Sequence, residues 1–349
     1  MGNTFYIKGV TEFAAHAPRN FCHVFWGHFL ATLELLHDES INRDTILHFE
    51  WNRDQTLDTI GKKIYSLLFD NPIVVGEPQG EYKTLSFDQN KYVIDGSTSA
   101  IIERYTMIPY VNRGVNKLKL LLADRITKDS NINIVLNRRS DLRRIFNEND
   151  FADQLAQLEK YPNVKFFDIN TARQTIHEQF DILLNADIYL YYHGAGGVYS
   201  SILRDDAIVF EIQPGKSWHT AFMHIVNDFA DYNPTTMSNY VICTDNTVVD
   251  NVGEFPAPDD TPEWLDNLLN NIDKSNFAPI FDLSNSQDSR CKWRFYKGQG
   301  RKINFDRIVS VVEQLIQSNK KISTLSNMSA NLEWLNSICD GRGYHLYED

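Results

Sequence analysis

Three glycines fall within four positions in the run YYHGAGGVYSS, directly after a strand-like segment and directly before a helix-like one. Such a turn lets the backbone approach a ligand closely, because glycine carries no Cβ and tolerates positive φ. The helix start behind it offers unpaired N–H groups and the positive end of a dipole, a ready receptacle for phosphate. His193, Gly194, Ala195, Gly196 and Gly197 are therefore read as a cradle for a pyrophosphate. A second cationic element, NRRSDLRRIFNE, carries Arg138, Arg139, Arg143 and Arg144 from the point where the strand INIVLN should end. Guanidinium groups there can neutralise a diphosphate through bidentate contacts, with Arg138 the first choice. A solvated basic face is the plainer reading of Arg139 and Arg143. Glu211 is expected to end the strand AIVFEI, where a carboxylate can accept hydrogen bonds from ribose hydroxyls or simply face water.

A glycine turn with an acid at the next strand also suits dinucleotide folds, but the order G-A-G-G lacks the G-x-G-x-x-G spacing. The turn also follows the third strand of its series rather than the first, which argues against a dehydrogenase. No D-x-D stands at a strand end to hold a metal on the diphosphate, since Asp205-Asp206 precedes a strand and resembles a turn. The expectation is metal-independent chemistry with no cofactor, the positive groups coming from the protein.

The elements that must position these residues read clearly from about Asn131. INIVLNR is a strand, DFADQLAQLEKY a helix, VKFFDI a strand and TARQTIHEQFDILLNA a helix. In the second helix Ala172, Ile176, Phe180, Leu183 and Leu184 share a stripe, and Thr171 with Gln174 has the form of a capping box. DIYLYY, AIVFEI and YVICTD are further strands. Strands alternating with helices imply a doubly wound parallel sheet with ligands beyond the carboxyl ends of its strands. Residues 1–128 are less regular, with strand-like TILHFEW and PIVVG, a long helix over Phe21–His37, and EYKTLSFDQNKYVIDGSTS as a hairpin over a cleft. The 349 residues suit two α/β domains, 1–128 and 129–300, followed by helices over 301–349.

Composition narrows the classes. A hydrophobic fraction of 42% and a charged fraction of 23% are ordinary for a globular chain. With 34 Lys plus Arg against 46 Asp plus Glu the net charge is -12, which opposes binding to nucleic acid or anionic membrane, so any anion site must be local. Cys22, Cys243, Cys291 and Cys339 lie far apart without C-x-x-C spacing and are read as free thiols. No segment has the length and apolarity of a signal peptide core or a transmembrane helix, and the chain is expected in the cytoplasm. MGNTFY departs from the myristoylation pattern at Tyr6.

Four segments together resemble glycosyltransferase family 61, whose members include plant core xylosyltransferases and animal O-linked N-acetylglucosaminyltransferases. NFCHVFWGHFLATLELL resembles the family's Asn-x-x-His helix, and LNRRSDLRRIFNE its Ser-Arg element. IHEQFDILLNADIYLYYHGAG resembles its Glu-Gln, Ala-Asp and His-Gly-Ala-Gly succession, and WRFYKGQGRKINFD its late Trp, Tyr and Gln segment. The resemblance implies a GT-B fold, two Rossmann-like domains facing a cleft with a terminal helix packing back on the first domain. It implies inverting transfer from a nucleotide-sugar, UDP-xylose or UDP-N-acetylglucosamine, to a glycan or glycoconjugate acceptor. It assigns donor binding to Arg138, His193, Gly194, Gly196 and Glu211, with Arg144 and Glu178 in a second tier.

An inverting transfer needs a base for the acceptor hydroxyl. A GT-B cleft takes it from the first domain, which points to His16, His23, His28 and Glu34. His23 is preferred because it lies one turn inside the helix that begins near Asn20, and His28 is weaker; five residues at 3.6 per turn place the two about 140° apart, so both are not expected to face one site. A buried histidine satisfied by a carbonyl is the bland alternative for His23. In KWRFYKGQGRK, Lys297 is a weak candidate for ligand contact, beside Trp293, Tyr296 and Gln299. The sequence departs from the family at Asn137, Gly197, Tyr199 and Arg204-Asp205-Asp206, and without a secretory signal it looks like a microbial or viral relative. A GT-B epimerase and a non-catalytic nucleotide- or glycan-binding protein remain the alternatives.

Overall fold

A computed structural model of the chain describes residues 4–9, 21–50, 60–71, 73–87, 108–127, 130–138, 148–170, 173–192, 195–204, 207–214, 240–245 and 305–317. They form an α/β protein with two parallel sheets. The first sheet has the order β3-β2-β1-β4, from β1 (Thr4–Lys8), β2 (Ile46–Phe49), β3 (Val74–Val75) and β4 (Lys83–Ser86). All of its pairs are parallel. The second has the order β6-β5-β7-β8-β9, from β5 (Ile132–Asn137), β6 (Val164–Ile169), β7 (Ile188–Tyr192), β8 (Ile208–Pro214) and β9 (Tyr240–Asp245), again wholly parallel.

The second sheet matches the sequence reading strand for strand, and the chain order reverses between β5 and β7, where a doubly wound sheet opens a crevice. Its strands are covered on both faces, as a parallel sheet requires. The alternation is direct. Ile134, Leu136, Ile188, Leu190, Ile208 and Phe210 face α5 (Glu148–Ala156) and α7 (Asp306–Gln317). There Phe151 and Phe305 stack with ring centroids 3.8 Å apart, and Tyr161 donates to Glu313 at 2.6 Å. Val135, Tyr189, Tyr191 and Val209 face the opposite way, into a core shared with the first half of the chain.

That shared core runs from Phe5, Ile7, Leu47 and Phe49 of the first sheet, through Phe25, Phe29 and Leu33, to Phe180 and Tyr199. Its middle layer is the helix expected over Phe21–His37, built as α1 (Phe21–Val24), a π-helical stretch Phe25–Leu30 and α2 (Ala31–Leu35). Against it lies α4 (Ile108–Leu121), which the sequence reading missed; α3 is the short Lys62–Tyr65.

Three other expectations are corrected. β1, the first sheet's inner strand, went unread because only Phe5-Tyr6-Ile7 is apolar and its core residues do not alternate with polar ones. Residues 83–86, read as part of a hairpin over the cleft, pair parallel to β1 as an edge strand; 88–107 lie outside the described residues. The capping box sits four residues later than expected: Thr175 accepts from the Glu178 N–H at 3.3 Å and Glu178 accepts from the Thr175 N–H at 2.7 Å, opening α6 (Ile176–Leu183). Gln174 instead accepts from the Asn170 N–H at 3.0 Å, closing the turn before the helix. Thr175→Ala should lower unfolding free energy by about 1 kcal/mol in a denaturant titration, the usual cost of a lost N-cap. The late helix 306–317 packs on the second sheet, while the terminal segment 318–349 lies outside the described residues. Among the described residues no helix is long and apolar enough to cross a membrane.

Candidate active site at the switch point of the second sheet

Asn137 ends β5 and turns its amide toward β7, donating to the Tyr189 hydroxyl at 2.8 Å. That hydroxyl donates in turn to the Gly196 carbonyl at 2.8 Å. A Cβ on Gly196 would stand 2.8 Å from Asn137 Nδ2 and 3.4 Å from the Tyr189 hydroxyl. The glycine turn is thus pressed against the end of β5, and Arg138 follows one residue later. Gly196 does not adopt positive φ, so closeness of approach, rather than left-handed backbone, is what requires glycine here. The turn leads into a 3-10 helix, Ala195–Ile202, where an α-helix starting at Val198 was expected. Ser200 and Ser201 donate their hydroxyls to the carbonyls of Gly197 and Val198, three residues back, at 2.6 Å each. The tighter helix still begins with N–H groups that have no partner within it.

Beside this turn the carboxyl ends of β5 and β6 enclose a pocket of about 340 Å³ lined by Arg138, Asn149, Asp168, Asn170, Arg173 and Gln174. Arg138 is held on two sides. Its Nη1 donates to Asn149 Oδ1 at 2.6 Å, and its Nε forms an ion pair with Asp168 Oδ2 at 2.6 Å, off the line of a well-aligned hydrogen bond. Burial raises the Asp168 pKa, against the lowering effect of the Arg138 and Arg173 charges. Asp168 Oδ1 and the hydroxyl of Tyr192, the last residue of β7, are buried without a hydrogen-bond partner. A chain of amides ties the pocket to the glycine turn. Tyr199 donates to Gln179 at 2.8 Å, Gln179 to the Gln174 carbonyl at 3.0 Å, and Gln174 to the Asp168 carbonyl at 3.0 Å.

The candidates fare differently. Gly196 meets Asn137, the residue before Arg138, whereas the Arg138 side chain turns to Asn149 and Asp168; buried Gly197 follows Gly196 in the 3-10 helix that Ala195 begins. His193, Gly194, Arg144 and Lys297 lie outside the described residues. Glu211 does not end its strand, because β8 continues to Pro214; it pairs in register with Tyr191 and Ile242, one residue short of the end of β7. Glu178 is occupied as a cap, and the N–H and hydroxyl of Thr175 hold its carboxyl below the usual range.

His23 lies in α1, whose Phe21 ring packs 5.5 Å from that of Tyr199 in the 3-10 helix, so the structure brings the expected base's helix to the glycine turn. His28 is in the core, 1% exposed. The Tyr65 hydroxyl donates to Thr32 Oγ1 at 2.7 Å, and Thr32 donates to the His28 carbonyl at 2.8 Å. Tyr65 is thereby left to accept from His28 Nδ1–H at 2.9 Å, a neutral tautomer, and burial pushes the His28 pKa down to about 3. The separation of His23 from His28 by the 3.6 period also fails as an argument, because the π-helical stretch closes i→i+5.

Asp168, Asn149, Asn170 and Arg173 were not singled out in the sequence, and Gln174 was read only as a capping residue. A signal existed: VKFFDI carries a carboxylate one residue before its end, and in a βαβ unit that strand lies beside the one that leads into Arg138.

The geometry, a parallel sheet with cations and a glycine turn flanking its reversal point, fits a phosphate-bearing ligand. The chain is 35% identical over 86 residues to the EGF domain-specific O-linked N-acetylglucosamine transferase of Gallus gallus, a match covering 24% of this chain and 16% of that protein. The chain thus spans about a sixth of the length of that relative. The sequence profile of glycosyltransferase 61 covers residues 25–210, more than half of the 349 residues, from α1's continuation through the glycine turn into β8. On the strength of that span, which takes in β2 to β7 and the crevice between β5 and β7, the chain belongs to glycosyltransferase family 61.

Proposed function

We propose that the chain is an inverting, metal-independent glycosyltransferase of GT-B architecture that moves a sugar from a UDP-linked donor to a hydroxyl of a glycan or glycoconjugate. N-acetylglucosamine and xylose are the sugars the family favours, and the name of the Gallus gallus relative supports the first. The observation that carries the reading is the contact between Asn137 and Gly196, which sets Arg138 beside the glycine turn at the switch point. A diphosphate seated there receives backbone N–H groups from one side and a guanidinium from the other. Both stabilise the charge that develops on the leaving nucleotide, a role that a metal ion fills elsewhere. His23, on the helix packed against Tyr199, takes the acceptor proton as the new glycosidic bond forms.

Thermal-shift titration against UDP, GDP and their sugars tests the donor. Stabilisation by UDP and UDP-sugars, and not by GDP, is the expected result; no shift with any nucleotide removes the reading. Arg138→Ala should weaken UDP binding by roughly 10- to 100-fold, the worth of a charged hydrogen-bonded contact. Product analysis then separates transfer from epimerisation and from binding without turnover.

A further inference from the structure

We infer that Asp168 and Asn149 are positioning residues for Arg138, gripping its guanidinium at Nε and Nη1 so that Nη2 is presented to the donor diphosphate. The inference rests on the donor reading above and adds to it two residues on separate elements, Asp168 in β6 and Asn149 in α5.

Three observations carry it. The grip is two-sided and short, 2.6 Å at each nitrogen, and among the described residues nothing engages Nη2. A guanidinium hydrogen-bonded at Nη1 and ion-paired at Nε has lost rotamer freedom that a phosphate contact would otherwise have to remove. The pair also borders a pocket of about 340 Å³ rather than closed protein, with Arg173 adding a second positive charge to the lining. Finally, the pair is a poor stabilising device. Asp168 Oδ1 is buried with no partner, a state that costs free energy in a folded protein. Burial outweighs the Arg138 charge and raises the carboxyl's pKa, so the fold resists the ionised form that the pairing uses. An ion pair kept on such terms beside a pocket points to use rather than to stability.

The opposite arrangement is that Asp168 competes with the phosphate for Arg138, and the two make opposite predictions. Isothermal titration of the full chain with UDP is run on the wild type, Asp168→Ala, Asp168→Asn and Asn149→Ala, with a melting curve for each. If Asp168 positions Arg138, Asp168→Ala raises the UDP Kd about tenfold. Asp168→Asn, which keeps an acceptor oxygen in the same place, recovers most of the loss. Melting temperature falls in Asp168→Ala, which leaves the largely buried Arg138 guanidinium without its partner, but not in Asp168→Asn, so UDP affinity that follows the acceptor oxygen across the two variants is the readout of positioning. Exposed Asn149→Ala gives about a threefold rise with the fold intact, so the inference stands on a second variant should Asp168→Ala fail to fold. Unchanged or tighter UDP binding in Asp168→Ala, or in Asn149→Ala if only that variant folds, overturns the positioning role and leaves the donor reading standing. A wild type that binds no nucleotide overturns both.

Discussion

Gly114→Ala should unfold several degrees below the wild type, although alanine for glycine inside a helix normally raises stability. Gly114 lies in mid-α4 with its backbone against the π-helical stretch, and a Cβ there would stand 2.2 Å from the Leu30 carbonyl oxygen and 3.0 Å from its carbon. No rotamer change relieves a methyl pressed on main chain, so one helix must move. The intrinsic gain is about 1 kcal/mol. Overpacking against side chains costs about 1–3 kcal/mol, and against rigid backbone the cost lies at the upper end or beyond. A net loss of about 2 kcal/mol or more should lower the melting temperature by roughly 3 °C or more in a chain of this size. Asn116→Ala, two residues on and exposed, is the control, since it gains helix propensity with nothing to strike and should melt no lower than the wild type. A Gly114→Ala variant that melts with Asn116→Ala would mean that α4 does not touch the π-helical stretch.

The same glycine explains part of what the sequence hid. IPYVNRGVNKLKLL carries a proline, a glycine and two asparagines, each weakening a helix reading, and the reason for the glycine lies 84 residues away at Leu30. Local pattern cannot announce such a contact. The second sheet was legible because INIVLN, VKFFDI, DIYLYY, AIVFEI and YVICTD are apolar runs divided by helices with clear stripes. The capping box slipped because TARQTIHEQ holds two consecutive Thr-x-x-Gln/Glu patterns, and the helix starts at the second. At the site, the glycine turn and Arg138 were readable from type and position. The partners of Arg138 were not, because Asn149 and Asp168 acquire meaning only once β6 lies beside β5 and α5 covers their ends. The π-helical stretch is a subtler case: FWGHFL has nothing that forbids an α-helix, yet its altered winding removes the period argument about His23 and His28.

His23→Ala should abolish transfer while UDP still binds with wild-type affinity. Two facts favour position 23 over position 28. His28 is sealed in the core, its Nδ1 engaged by Tyr65, and a group whose pKa lies near 3 is too weak a base to draw a proton from a hydroxyl at neutral pH. The helix that carries His23, by contrast, leans on the 3-10 helix directly behind the glycine turn through Phe21 and Tyr199. General-base catalysis contributes about 10²- to 10⁴-fold, so the transfer rate with saturating donor and acceptor should fall by that factor in the alanine variant. Donor hydrolysis, in which water replaces the acceptor, should fall in parallel, because the same proton must leave. On the proposed reading UDP is held by Arg138 and the turn, so its affinity is expected to survive. If the variant transfers sugar at the wild-type rate, the base is another group of the first half of the chain; if it loses UDP affinity as well, position 23 serves the donor rather than the acceptor.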